Sequence, residues 1–370
     1  MTEHPDSNEN SRLSACPTHF SSHFESTFRG KRIGLAVDVP TPLDATAGFP
    51  FPHDATAEWE TSETIERIRQ AWLKLGFEVV PLALDARFWS HWEKNISSLD
   101  LVHSLVEGWG SPAREGWIPS LCELAGIPCI GSSPLAQGIA MRKSLLKILC
   151  REVGVPTADF FVVRTREDCD AIPSRLTNQP HFLKPDCEGS GMGVDASTSV
   201  SHSADEARGK AHILLERFPD GVLVETLLPG EELTTALLGH PLRPLPPARI
   251  EVEDGVYGLA NKSKAFMGEK VTFPTLTATE ERSLVVQGLA LAHAAGFEDF
   301  VRLDWKRDSN GVVTFMEANP LAGLSYFYSV LPKIAAQGGL SYESLLANLA
   351  ASALERQHHR RHWYGRARLR

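Results

Sequence analysis

Apolar and polar positions alternate along this chain with two different periods, and the change of period divides it. Lys31-Arg32-Ile33-Gly34-Leu35-Ala36-Val37 closes on an apolar run, the pattern of a buried strand. Residues 40–56 are dense in Pro, Gly, Asp and Thr and read as a loop. From Glu63 to Leu75, Ile65, Ile68, Trp72 and Leu75 recur at helical spacing, and Gly76 supplies a stop. Strands are expected over 77–82 and 100–106, and a helix over 118–125 that Gly126 ends. Strands alternating with helices imply a parallel sheet, so an α/β lobe is expected over 31–133. A helix over 135–153 opens a second lobe, 134–222, which continues with short strands and a helix over 204–218. Strands then dominate, at 222–227, 232–238, 248–253, 256–262, 300–306 and 312–318, with helices over 279–295 and 342–355. These form a third lobe, 223–355, and the fold class expected is α/β followed by α+β.

Composition narrows the function classes. A chain of 370 residues suits two or three domains, and 42% apolar with 22% charged residues is globular. Acids outnumber Lys and Arg by 46 to 37, a formal charge of −9, which argues against a nucleic-acid partner. No apolar run approaches the ~20 residues a bilayer span needs, so no membrane partner is expected. Residues 1–30, rich in Ser, His, Asn and Glu, read as a disordered tail without a secretory signal. The six cysteines form no Cys-x-x-Cys pair, which leaves a disulfide framework or zinc site without support and makes the cytoplasm the expected compartment. Residues 356–370 carry six arginines and read as a basic tail, the frayed end of a helix rather than an RNA-binding segment.

The chemistry concentrates in a few stretches. Two apolar strands flank Asp308-Ser309-Asn310-Gly311, and Asn-Gly is a strong two-residue hairpin signal. With Asn310 and Gly311 as the turn, Asp304 falls opposite Glu317 and Arg302 opposite Asn319, all on one face. Carboxylates placed opposite each other repel unless a cation lies between them. Magnesium, which takes oxygen ligands from one or two carboxylates and leaves positions for phosphates, suits Asp304, Glu317 and Asn319. The alternative is a solvated face on which Arg302 neutralises the acids. Upstream, His181-Phe182-Leu183-Lys184-Pro185 is a strand ending in a lysine. It leads into Gly189-Ser190-Gly191-Met192-Gly193, whose backbone N–H groups could close on phosphate oxygens. The loop matches neither a Walker A sequence nor a dinucleotide fingerprint. Met141-Arg142-Lys143, the acid-ending strand Val222-Leu223-Val224-Glu225, Gly230-Glu231-Glu232 and Asn261-Lys262-Ser263 complete the candidates.

Taken in order, these motifs resemble the ATP-grasp superfamily and, within it, the D-alanine–D-alanine ligase family, over about residues 31–355. The resemblance implies an ATP-grasp fold and a two-step ligation. ATP phosphorylates a carboxylate, and an amine then displaces phosphate to form a D-alanyl-D-alanine type dipeptide. By position, Lys143 and Lys184 would hold the ATP phosphates. Glu225 and Leu228 would frame the adenine, Glu232 the ribose, and Lys262 would lie on the γ-phosphate side. Gly189, Ser190, Gly191 and Gly193 would cover the phosphates. Asp304, Glu317 and Asn319 would bind two Mg2+ ions, with Mn2+ able to substitute. Arg302 and the Gly323 backbone would stabilise the oxyanion, and Glu58 or Glu60, in Ala57-Glu58-Trp59-Glu60-Thr61-Ser62, would contact the first amino acid. Small amino-acid substrates and a homodimer are likewise implied.

Departures from the family pattern fall mostly on the amino-acid side. The His-Gly-x-x-Gly-Glu-Asp-Gly signature is replaced by Glu107-Gly108-Trp109-Gly110-Ser111-Pro112-Ala113-Arg114-Glu115-Gly116. The family's Lys-Tyr pair reads Lys262-Ser263, and Asn-Thr-x-Pro-Gly reads Asn319-Pro320-Leu321-Ala322-Gly323. Two alternatives therefore stand beside dipeptide ligation: an ATP-grasp ligase with another amino-acid or peptide acceptor, and a catalytically silent nucleotide-binding regulator.

Overall fold

A computed structural model describes residues 27–39, 56–176, 179–251 and 270–364. Lys262 and the strand expected over 256–262 lie outside them, as do most of the 40–56 loop and residues 1–26.

The front of the chain forms a four-stranded parallel sheet in the order Glu78–Leu84, Arg32–Asp38, Leu101–Leu105, Cys129–Ile130. Helices Ser62–Lys74 and Trp117–Ala125 match expectation, and Gly126 ends the second in the left-handed conformation. The helix Phe88–Asn95 was not expected. It buries Phe88 and Trp92 but has no side-chain N-cap, so its start carries no sequence signal. The tail expected over 1–30 does not hold at its end: Phe28 is fully buried and stacks on Phe77 at 4.8 Å.

Behind it stand two antiparallel sheets, and the α/β plus α+β expectation holds. One is four-stranded, in the order Phe160–Val163, Val222–Thr226, His181–Pro185, Val200–Ser201. The boundary expected at 222/223 therefore cuts through an inner strand of this sheet. The other is six-stranded and runs Lys270–Thr272, Ala248–Glu251, Glu232–Leu238, Phe300–Arg307, Val313–Asn319, with Arg243–Pro244 paired on Glu232–Leu238. One core, including Leu35, Trp72, Phe300 and Leu345, joins the parallel sheet to this six-stranded sheet. A second lies under the hairpin around Leu146, Leu233, Trp305 and Phe315.

Three helical expectations change. The 135–153 helix is two helices, Pro134–Met141 and Lys143–Glu152, broken at Arg142. The break has a tertiary cause: buried Asp186 caps the second helix, accepting from Ser144 N at 2.8 Å and from Ser144 Oγ at 2.7 Å. The helix Val330–Gln337 was not expected; the Ser329 hydroxyl at its start does not cap it and instead accepts from Ser325 N at 3.0 Å. The last helix runs from Tyr342 to Tyr364, past the expected end at 355. Arg356 does not belong to a solvated tail. It is buried, with Nη2 2.7 Å from Asp299 Oδ2 and 2.7 Å from the Cys129 carbonyl, and so ties this helix to the edge of the parallel sheet.

In the parallel sheet His103 is buried and accepts a hydrogen bond at Nδ1 from Trp72 Nε1, 3.1 Å away. Burial pushes its pKa down to about 3, so the ring is neutral in the fold. Between that value and the ordinary ~6.5 the unfolded chain binds one more proton, so stability falls with falling pH. Going from pH 7.5 to pH 5 should cost about 2 kcal/mol through this residue. Urea unfolding of the parent and of His103→Gln, which retains an acceptor for Trp72, checks this. An identical acid loss in both proteins would exclude His103 as its source.

Candidate active site: a lysine-lined cleft beside a carboxylate hairpin

The hairpin reaches the expected register by an unexpected route. Asp308 N donates to Val312 O at 2.9 Å, Gly311 N donates to Asp308 O at 3.1 Å, and Gly311 has φ +81°. The loop is therefore three residues, a turn followed by a left-handed glycine, rather than two. That offset is cancelled by a bulge: Trp305 pairs with Phe315, but Asp304 with Glu317, so Met316 is the extra residue. Asp304 thus lies opposite Glu317 and Arg302 opposite Asn319, as expected.

Around Asp304 the donors converge. Arg302 Nε and Nη2 donate to it at 3.0 and 2.8 Å, Asn319 Nδ2 at 3.0 Å, and Thr234 Oγ1 at 2.7 Å from the neighbouring strand. Arg302 thus neutralises one acid of the pair, as the alternative reading expects. No group of three His, Cys, Asp or Glu able to hold a metal occurs among the described residues. Asp304, Glu317 and the Asn319 amide nonetheless offer only hard oxygen ligands, two of them carboxylates. That set fits a magnesium ion whose remaining positions go to water and phosphate, and does not suit a soft metal.

Glu317 also lines a cleft together with Lys143, Lys184, Gly191, Glu225, Leu228 and Glu232, all named from sequence. Gly189, Ser190 and Gly193 belong to the same loop but do not line it; Ser190 has φ +46°, a rare conformation outside glycine. A Cβ at Gly189 would displace the Glu58 carboxylate, whose Oε1 stands in the space it would need. Phe182, Met192, Leu227, Leu228 and Met316 give the cleft apolar walls suited to a flat ring, while Lys143, Lys184 and Lys306 supply cations.

Two of those lysines are positioned by burial and charge. Lys143 is the first residue of its helix, where the Asp186 cap sets it, and Nζ donates to the Glu188 carbonyl of the glycine loop. Glu225 does not present its carboxylate to the cleft alone. It is clamped between Lys184 Nζ at 2.9 Å and Lys147 Nζ at 2.7 Å. Burial alone would lower the Lys184 pKa; Glu225, with Glu317 and Glu232, offsets it and holds the amine above its ordinary range. Lys147, fully buried, is lowered by desolvation despite the same glutamate. Lys147 escaped the sequence reading, although a lysine four residues after Lys143 on the face carrying Leu146 and Cys150 was a legible signal.

The amino-terminal lobe meets the glycine loop through Arg114, which is 1% exposed. Its Nη2 lies 2.9 Å from Glu58 Oε2 and 2.9 Å from Glu188 Oε2, and Nη1 donates to the Cys187 carbonyl at 3.2 Å. Burial pushes the carboxyls of Glu107 and Glu115 upward, the latter to about 8, and nearby Glu58 adds to both shifts. Glu60 lies apart from this cluster: Tyr328 donates to its Oε2 at 2.7 Å, and its Oε1 is 3.7 Å from where a Cβ on Gly323 would stand. The structure thus separates the two glutamates that the sequence left undecided.

Residues 149–351 match the family model described as the D-ala D-ala ligase C-terminus. A D-alanine–D-alanine ligase from Chromohalobacter salexigens is 31% identical over 240 residues, 65% of this chain and 74% of that protein. Among solved structures, a D-alanine–D-alanine ligase from Bacillus anthracis complexed with ATP superposes with a TM-score of 0.68, covering 90% of this chain and all of that one at 20% identity. A D-Ala:D-Ser ligase from Enterococcus faecalis gives 0.67, with 88% of this chain covered and all of that one, at 18% identity. Among the described residues no helix is long and apolar enough to cross a membrane. With its ATP-grasp fold and the order of its motifs, this chain is a member of the D-alanine–D-alanine ligase family.

Proposed function

We propose that this protein is an ATP-dependent ligase that joins D-alanine, or a closely related small amino acid, to a second amino acid and releases ADP and phosphate. The observation that carries the reading is the meeting of Lys143, Lys184 and the glycine loop with Glu317 in one cleft, beside Asp304 and Asn319. Segments 134–222 and 223–355 would then hold the nucleotide, and 31–133 would cover the amino-acid side. The γ-phosphoryl group passes to a carboxylate oxygen of the first amino acid. The amine of the second attacks the carbonyl carbon, the bond to phosphate breaks, and the amine loses a proton.

Each residue has a task in this reading. Lys143 and Lys184 hold phosphate oxygens, and Glu225, itself gripped by Lys147, keeps Lys184 charged and in place. Glu232 takes the ribose hydroxyls and Leu228 borders the base. The residues that would hold Mg2+ are Asp304, Glu317 and Asn319, and the ion would supply charge neutralisation during phosphoryl transfer. Arg302, aligned by Asp304, and the Gly323 backbone face the charge that develops on the carbonyl oxygen. Glu60, rather than Glu58, is the acid for the ammonium of the first amino acid, because the Glu58 carboxylate is already engaged by buried Arg114.

The test is ADP release with D-alanine and a panel of other amino acids, with products weighed by mass spectrometry. D-alanyl-D-alanine, or a related dipeptide, made only with both ATP and Mg2+ is the expected result. ATP binding without phosphate release under every acceptor would replace this reading with that of a silent regulator. The replaced 107–116 signature favours a second acceptor class as the alternative within the ligases, and a non-dipeptide amide in the same assay would identify it.

A further inference from the structure

The loop after the hairpin carries Tyr326, Phe327 and Tyr328, and only Tyr328 turns inward onto an acid of the amino-acid side. Its phenol donates to Glu60 Oε2 at 2.7 Å. The loop is in turn fixed to the first turn of helix Ser62–Lys74. Thr64 Oγ1 donates to Ser325 Oγ at 2.9 Å, and Thr61 Oγ1 donates to Thr64 Oγ1 at 3.0 Å. Thr64 and Ser325 are both fully buried. Ser325 Oγ accepts from Phe327 N at 3.3 Å, and Ser329 Oγ from Ser325 N at 3.0 Å. The same Ser329 Oγ would be 2.7 Å from a Cβ at Gly323. A chain of hydroxyls thus locks the 323–329 loop and Glu60 into one unit across 268 residues of sequence.

We infer that Tyr328 is a positioning residue for the amino-acid subsite: by donating to one oxygen of Glu60 it directs the other toward Gly323, where the first amino acid would be read. This rests on the ligase reading above. A carboxylate on a flexible side chain loses rotamer freedom when it binds an ammonium, and a phenol held by its own fixed neighbours removes that loss beforehand. Burial and Glu60 together push the Tyr328 pKa up to about 12, so the phenol keeps the proton it donates across the working range. The effect belongs to amino-acid binding. Tyr328 is not among the residues lining the nucleotide cleft, so ATP binding should not feel it.

The experiment is Tyr328→Phe, which keeps the ring and removes only the donor. Steady-state ADP release is measured with the first amino acid and ATP varied in turn. A hydrogen bond to a charged group is worth about a tenfold to hundredfold change, so the amino-acid KM should rise by about that factor. The KM for ATP and kcat at saturation should stay within about twofold. A merely structural role would shift all three together. Thr64→Val, near-isosteric and remote from substrate, should raise the same KM in the same direction by a smaller factor. An unchanged amino-acid KM in Tyr328→Phe, or an equal rise in the KM for ATP, overturns the inference and leaves the ligase reading standing. A parent enzyme that releases no ADP with any amino acid overturns that reading and the inference with it.

Discussion

Glu317→Gln should lower ligation by on the order of a thousandfold in kcat, with the protein still folded and still binding ATP. The choice of residue follows from the geometry. Asp304 accepts five side-chain hydrogen bonds from Arg302, Asn319 and Thr234, so replacing it would release Arg302 as well and confuse two effects. Glu317 offers a cleaner test, because glutamine keeps its volume and, besides the lost ligand charge, withdraws only one of the three carboxylates that hold the Lys184 amine up. The apparent Mg2+ requirement should rise together with the fall in kcat, since one of two carboxylates in the donor set is gone. Turnover equal to the parent at limiting Mg2+ would end the metal assignment.

Arg114→Met should destabilise the fold by about 3–5 kcal/mol, because it leaves buried carboxylates without their cation. Glu58 and Glu188 lose their direct partner, and Glu107 and Glu115 lose the charge that lowers their pKa values. The loss should depend on pH, with a definite sign. A carboxyl whose folded pKa is raised binds its proton more tightly in the fold, so its stabilising effect is present at low pH and is lost as pH rises through the folded value. Glu115 stands near 8 in the parent and should stand higher in the variant. The deficit against the parent should therefore grow between pH 6 and pH 8.5, which urea unfolding at the two values measures. Equal deficits would mean that lost packing, not uncompensated charge, is the cause. Arg114 also fastens the glycine loop to the amino-terminal lobe through Glu188 and the Cys187 carbonyl. The variant should consequently show raised proteolytic cleavage between Asp186 and Val194, and ATP should suppress it.

The hairpin shows how a correct register can be read for an incomplete reason. Alternation and Asn310-Gly311 placed Asp304 opposite Glu317, yet the loop is one residue longer and the Met316 bulge restores the pairing. A bulge is a choice made against neighbouring strands and the core, here Trp305 and Phe315, which meet edge to face at 5.5 Å. The break at Arg142 is similar. Residues 135–153 have an unbroken helical pattern, and only Asp186, 42 positions away from Ser144, provides the cap that starts a new helix at Lys143.

The line between the two kinds of knowledge runs along the range of the interactions. Period, turn residues and the order of short motifs are local, so the longer strands among the described residues, most helices and the family were legible from residue types alone. The partners of buried charges are not local. Glu225 between Lys147 and Lys184, Arg114 between Glu58 and Glu188, Arg356 on Asp299, and Tyr328 on Glu60 each join residues far apart in the chain. An ionisable side chain is expected at the surface until a specific partner is known, and only the folded chain supplies that partner. The residues that line the cleft beside the hairpin could therefore be named from sequence. The different partners of Glu58 and Glu60 were decided by tertiary packing.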